Sequence, residues 1–184
     1  MLNDEIKKEL LKLARNTIEG RFQGVSPDLN DFNEPIYNEK RGAFVTLNKK
    51  GHLRGCIGYI VAYKSLKETV LEMAIAAAFR DPRFEPVTLN ELDSINIEIS
   101  VLSEMILIKE KSEIHIGRDG LLLEHPYGSG VLLPQVATEY GWNVDTFLEQ
   151  LCNKAGLPKG SWNSQEAKLY RFSAEVFNEN DFNA

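Results

Sequence analysis

Along residues 4–19 apolar side chains return at Ile6, Leu10, Leu13 and Thr17 or Ile18, the spacing of one helical stripe, with charged residues between them. Asn3 precedes the stripe as an N-cap, and Gly20 is the expected stop. The stretch 21–41 keeps no period and is rich in Asn, Asp, Pro and Gly, which predicts a long surface loop with scattered apolar anchors. From residue 42 onward the period shortens. "AFVTLN", "KKGH" and "LRGCIGYIVA" read as a β-hairpin, because β-branched and aromatic residues flank a glycine-containing turn. Side chains alternate across a strand, so Arg54, Cys56 and Gly58 are expected on one face and Leu53, Gly55, Ile57 and Tyr59 on the other, the core face.

The helical period returns in "SLKETVLEMAIAAAF", whose Leu66, Val70, Met73, Ala74 and Ala77 fall on one side and whose alanines allow close approach to a sheet. Pro82 and Pro86 in "RDPRFEPVT" end it. "SINIEISVLS" alternates Ile95, Ile97, Ile99 and Val101 with polar neighbours, as a half-buried strand does. "IHIGRDGLLLEH" reads as two short strands around "GRDG", and "GVLLPQVATEY" as a strand running into a helix. "NVDTFLEQLCNKAG" is a helix with Val144, Phe147, Leu148, Leu151 and Cys152 on one stripe, and "EAKLYRFSAEVF" is a closing strand. Hairpins predominate over regular strand–helix alternation. The fold class is therefore α+β, a mostly antiparallel sheet with flanking helices and room for a small extra lobe. The chain is taken as a single domain, 1–184, with helix 4–19, loop 21–41 and core 42–177.

Charge and composition narrow the function. A net charge of -6 over 184 residues argues against a sequence-independent grip on nucleic acid, which needs a cationic face. The five Lys and Arg of "KRGAF" and "LNKKGHLRG" read first as a solvated hairpin end. The opening residues interleave apolar and charged positions and match neither a signal peptide nor a membrane anchor, so a cytoplasmic protein without a membrane segment is expected. Two distant cysteines and three isolated histidines form no metal-ligand spacing, and no metal site is expected. Neither a dinucleotide-binding fingerprint nor a P-loop is present.

Taken in order, "AFVTLNKKGHLRGCIGYI", "AIAAAFRDPRFEPVT", "INIEISVLS", "GRDGLLLEH", "GVLLPQVA" and "FLEQLCNKAGLP" with Trp162 after it resemble the AMMECR-one domain family, whose microbial members are called protein A of the AmmeMemoRadiSam system. "LRGCIG" is the most specific of these segments. The resemblance implies a compact α+β domain, cytoplasmic in microbes, encoded beside a Memo-like protein and a radical SAM protein as its expected partners. It implies no settled reaction and no named cofactor.

The candidate site is the segment 53–58. Thiol chemistry needs thiolate character, access, and a nearby base or cation. Cys56 is the candidate nucleophile or redox thiol and Arg54 the candidate cation beside it, while Gly55 and Gly58 leave room for a ligand to approach. His52, His115 and His125 are the available bases. Equally, the glycines allow tight packing and Cys56 lines a cleft without covalent chemistry or fills a small buried space. We expect Cys56 on a strand, mostly buried, its sulfur opening onto an internal cleft. "FRDPRF" supplies Arg80, Asp81 and Arg83; arginine suits fork-like binding of a small anion, which is expected on Arg54, Arg80 or Arg83 and not on the Lys49–Lys50 turn. Asp81 before a proline is also a natural turn former. His125, in the glycine-rich "EHPYGSG", is the remaining binding candidate. Two functions stay open: an enzyme or cofactor-handling protein, and a non-catalytic module using the same surface to hold a partner protein.

Overall fold

The computed structural model describes residues 1–182 and divides into two compact units, Met1–Leu102 with Glu175–Ala184, and Ser103–Ala174. The second is inserted between two strands of the first unit's sheet. The chain leaves at Ser103 and returns at Ser173, and these two serines hydrogen-bond each other through backbone and hydroxyl groups. The second crossing takes place within continuous strand-like sequence, between β7 and β8.

In the first unit, helix α1 runs Asp4–Gln23, with the Asn3 side chain accepting the Ile6 N–H as cap. Gly20 does not stop it. Gly20 is needed because a Cβ there would lie 2.3 Å from the Val25 carbonyl oxygen, and the helix instead ends at Gly24, whose φ of 69° suits a glycine. The following loop contains a 3₁₀ turn at Leu29–Asp31 and one α-helical turn, α2, at Pro35–Asn38, which seats Tyr37 in the core. Strands β1 (Ala43–Lys49) and β2 (His52–Tyr59) form the expected hairpin around Lys50 and Gly51, both with positive φ. Helix α3 (Leu66–Phe79) opens on a capping box formed by Ser65 and Glu68. Strand β3 is Ile95–Leu102 and β8 is Ala174–Asn178, giving the sheet order β2-β1-β3-β8. The alternation predicted for β3 holds: Ile97 and Ile99 are fully buried, and with Val45 and Leu47 they face α1 and α3.

The second unit holds a four-stranded sheet ordered β4-β7-β5-β6, from Ile106–Ile108, Lys168–Phe172, Gly120–His125 and Gly128–Leu132. Its recorded pairings are antiparallel. Helix α4 (Pro134–Glu139) follows β6, and α5 (Val144–Lys154) covers the sheet with Phe147, Leu148, Leu151 and Cys152 buried. Two expectations change here. "IHIG" is not a strand, because the buried Asp119 carboxylate accepts the His115 N–H and draws 115–119 into a tight turn. "EAKLYRFSAEVF" is two strands in two sheets, broken at Ser173. No helix among the described residues is long and apolar enough to cross a membrane.

Candidate functional site

Strand β2 is an edge of its sheet, so every second backbone N–H and C=O along it has no strand to pair with. At Cys56 that edge is closed by the loop after α3. Cys56 N–H donates to Asp81 Oδ2 at 2.9 Å, and Arg83 Nη2 donates to the Cys56 carbonyl at 3.1 Å. Asp81 and Arg83 are joined twice, Nη2 to Oδ2 at 2.7 Å and Nε to Oδ1 at 3.0 Å. The Asp81 side chain is 2 % exposed and that of Arg83 is 52 % exposed. The Arg83 hydrogen bonds hold the Asp81 carboxyl well below the usual carboxylate range against the cost of burial, with the Cys56 and Arg83 N–H groups adding to them. Arg83 is in turn held above its ordinary value by its hydrogen bonds to Asp81, against the cost of burial.

The thiol itself is half-buried and lies outside the apolar core of its unit, whereas Cys152 is fully buried in the core of the other. Gly55 faces α3, and a Cβ on it would meet the Ala77 carbonyl oxygen at 2.1 Å, so Cys56 takes the opposite face of the sheet. Thr46 is its cross-strand partner, and the Thr46 hydroxyl donates to Sγ at 3.1 Å. Glu98 is the next residue in the row, opposite Thr46 on β3. Burial, and then the charge of Asp181, push the Glu98 carboxyl above its usual value. Thiol, hydroxyl and carboxyl thus stand in line across three strands. Gly58 is needed for its neighbour, since a Cβ there would lie 2.3 Å from the Phe44 ring.

Arg54 is placed differently from the alternation. The pairing runs Leu47 with Gly55 and then Asn48 with Leu53, so Arg54 is the extra residue of a β-bulge. Leu53 consequently leaves the core face and is 43 % exposed. The Arg54 guanidinium is engaged by Glu91 through two hydrogen bonds of 3.1 Å, and Lys49 joins the same carboxylate at 2.7 Å. Arg54, then Lys49, then the Thr88 N–H hold Glu91 well below its usual range. Arg80 is exposed at the end of α3 and belongs to another group, lining a depression of about 360 Å³ with Lys64 and Glu72. His125 lies in the second unit, its Nδ1 accepting the Tyr127 N–H at 3.3 Å. Among the described contacts, none of His52, His115 or His125 hydrogen-bonds Cys56. The sequence reading missed Thr46, Glu91 and Glu98. Among the described residues no three His, Cys, Asp or Glu side chains gather as metal ligands do.

The AMMECR1 family model matches residues 11–177. The chain belongs to the AMMECR1 family. It is 44% identical to a protein of Sulfolobus acidocaldarius over 97% of this chain and 83% of that one. It is 45% identical to a protein of Methanocaldococcus jannaschii over 92% of this chain and 88% of the other. The crystal structure of an uncharacterised protein from Pyrococcus horikoshii superposes with a TM-score of 0.85 at 41% identity, covering 97% of this chain and 93% of that one. These AMMECR1 relatives span both units described here and carry no stated activity.

Proposed function

We propose that the AMMECR1 segment 53–58 is a thiol site, presenting Cys56 to a small ligand in an enzyme or cofactor-handling protein. One observation carries this reading. Both backbone polar groups of a single edge-strand residue are held by Asp81 and Arg83. Edge groups are ordinarily left to water, and burying a carboxylate to hold one is costly unless position matters. The clamp fixes the Cys56 backbone, and the Thr46 hydrogen bond fixes its sulfur.

Chemistry follows from the row and its flank. A nucleophilic or redox thiol stands beside a hydroxyl that can donate to charge developing on sulfur, with the Glu98 carboxyl, raised above its usual value, across about two strand spacings, roughly 10 Å. Arg83, half in water, still offers donors to an anionic group on a ligand, whereas Arg54 is taken up by Glu91. Arg83 therefore replaces Arg54 as the cation of this reading. Memo-like and radical SAM proteins are the partners we propose for it, on the strength of the family resemblance, in the cytoplasm.

Alkylation of the native protein by iodoacetamide, located by mass spectrometry, tests the reading. We expect Cys56 to be modified in the folded state and Cys152 only after unfolding. Protection of Cys56 until the protein unfolds would remove the basis for a thiol site and leave Cys56 as packing.

A further inference from the structure

A hollow of the first unit does not include Cys56. It lies where β1 turns into β2, measures about 960 Å³, and is walled by α1, that turn, residues 93–96, residues 178–180 and Phe182. Its volume is in the range of small-molecule sites. Four cationic side chains face two anionic ones around it, an excess of positive charge in a chain of net charge -6. One cation, Arg15, is occupied by Glu179 and by the Leu92 and Ile95 carbonyls. Lys8 sits with its ammonium 5.3 Å from the Phe182 ring centre. Lys12 and Lys50 have no carboxylate partner among the described residues.

The remaining wall is rich in asparagine. Asn96 is decisive, because its Oδ1 is buried and has no hydrogen-bond partner among the described residues. A buried polar atom left unpaired is destabilising. It is closed to water as the amide stands, so the amide turns toward the hollow to be relieved, and a ligand hydroxyl, which both donates and accepts, then pairs with it. Lys50 adds a second oddity. It holds a φ of 52° in the hairpin turn, a conformation that Asn or Gly adopts more readily, so local backbone preference does not explain a lysine there.

We propose that this hollow binds a small anion that also carries hydroxyls, a phosphorylated sugar or the sugar-phosphate part of a nucleotide. Lys12 and Lys50 hold the phosphate, and Asn96 meets a hydroxyl. The proposal places this anion at the Lys49–Lys50 turn, where the sequence reading expected one on Arg54, Arg80 or Arg83. Arg54 is already spent on a carboxylate, while Lys50 is not. The proposal stands apart from the thiol site, and neither depends on the other.

Titration calorimetry with ribose 5-phosphate, inorganic phosphate and ribose tests it. Ribose 5-phosphate is expected to bind saturably and about tenfold more tightly than phosphate, with no heat from ribose alone. Lys12→Ala with Lys50→Ala weakens ribose 5-phosphate about tenfold or more, and Asn96→Ala removes its advantage over phosphate. Melting curves establish that each variant is folded; if Asn96→Ala is not, Asn96→Thr keeps a strand-forming residue and removes the amide. No heat from ribose 5-phosphate up to about 10 mM, or affinity unchanged in the lysine pair, overturns the proposal. Equal binding of phosphate and ribose 5-phosphate marks an adventitious ion only and overturns it as well.

Discussion

Both units contain the same two devices. A glycine on the edge strand lets a helix approach: Gly55 on β2 under Ala77 of α3, and Gly128 on β6 under Ala155 at the end of α5, each 2.1 Å from carbonyl oxygen to an added Cβ. A buried aspartate, paired with a half-exposed arginine, accepts a backbone N–H: Asp81 with Arg83 in one unit, Asp119 with Arg118 in the other. The difference is where the second device acts. Asp119 holds His115 in the turn that leads into β5, while Asp81 holds Cys56, the residue next to Gly55. A buried aspartate–arginine pair is thus no mark of function by itself. Convergence of clamp and close-packed glycine on a strand carrying a half-exposed thiol occurs in the first unit alone among the described residues.

The largest effect that can break this comparison is steric. Gly55→Val and Gly128→Val each drive a Cβ into a backbone oxygen, which cannot swing aside as a side chain can. Each is expected to cost about 3 kcal/mol or more, by denaturant titration, or to prevent folding. Gly51→Ala, with φ of 79° but open space around it, is expected to cost about 1 kcal/mol. Tolerance of valine at one of the two edge glycines and not at the other would show that the two edges are not built alike.

The clamps come next. Asp81→Asn and Asp119→Asn each weaken a charge-assisted pair and are expected to cost about 2–3 kcal/mol, below the full penalty for breaking a buried ion pair because the arginines keep contact with water. Only the first should alter alkylation of Cys56. Both carboxyls lie below their ordinary range when folded. For Asp119, burial opposes ionisation, and the Arg118 hydrogen bonds and His115 N–H outweigh it. A depressed folded value means stability that is fully present above the unfolded value, near pH 4, and is lost as pH falls through the folded one. Melting temperature should therefore fall steadily below about pH 5 in the parent protein and less steeply in either Asn variant. A parent melting temperature flat from neutral pH to about pH 3 would contradict both clamps.

The element plan and the core were legible because they rest on period. The stripe of α1, the alternation of β3 and the apolar face of α5 with Cys152 needed no partner to be read. The site was legible as a segment and not as an arrangement. Counting back from a two-residue turn places Gly55 opposite Thr46 and Arg54 beside Cys56, and only the bulge at Arg54 moves Cys56 into line with Thr46 and Glu98. A bulge leaves little trace in composition. Asp81 was named from its proline, yet its grip on Cys56 depends on how α3 is laid over the sheet, which no local pattern encodes. The break at Ser173 was hidden for a related reason, since both halves of that stretch are strands and only their partners differ.

The smallest effects separate the two cysteines, one in each unit. Cys152 is fully buried among Phe147, Leu148 and Leu151, so Cys152→Ser places a hydroxyl in an apolar core and is expected to cost about 1–3 kcal/mol. Cys56→Ser keeps a polar atom beside Thr46 on a half-exposed face and is expected to cost under about 1 kcal/mol, while abolishing alkylation of the folded protein. Thr46→Val then isolates the remaining contact. It removes the donor to sulfur but retains a β-branched strand residue, so stability should move by no more than about 1 kcal/mol. The Cys56 alkylation rate at neutral pH should fall several-fold, because the hydroxyl supports the charge that sulfur carries as it attacks. An unchanged rate in Thr46→Val, with the fold intact, would mean that the hydroxyl only positions the side chain. Clamp and row would then act on geometry alone, and the first unit would differ from the second in the exposure of its thiol and not in its activation.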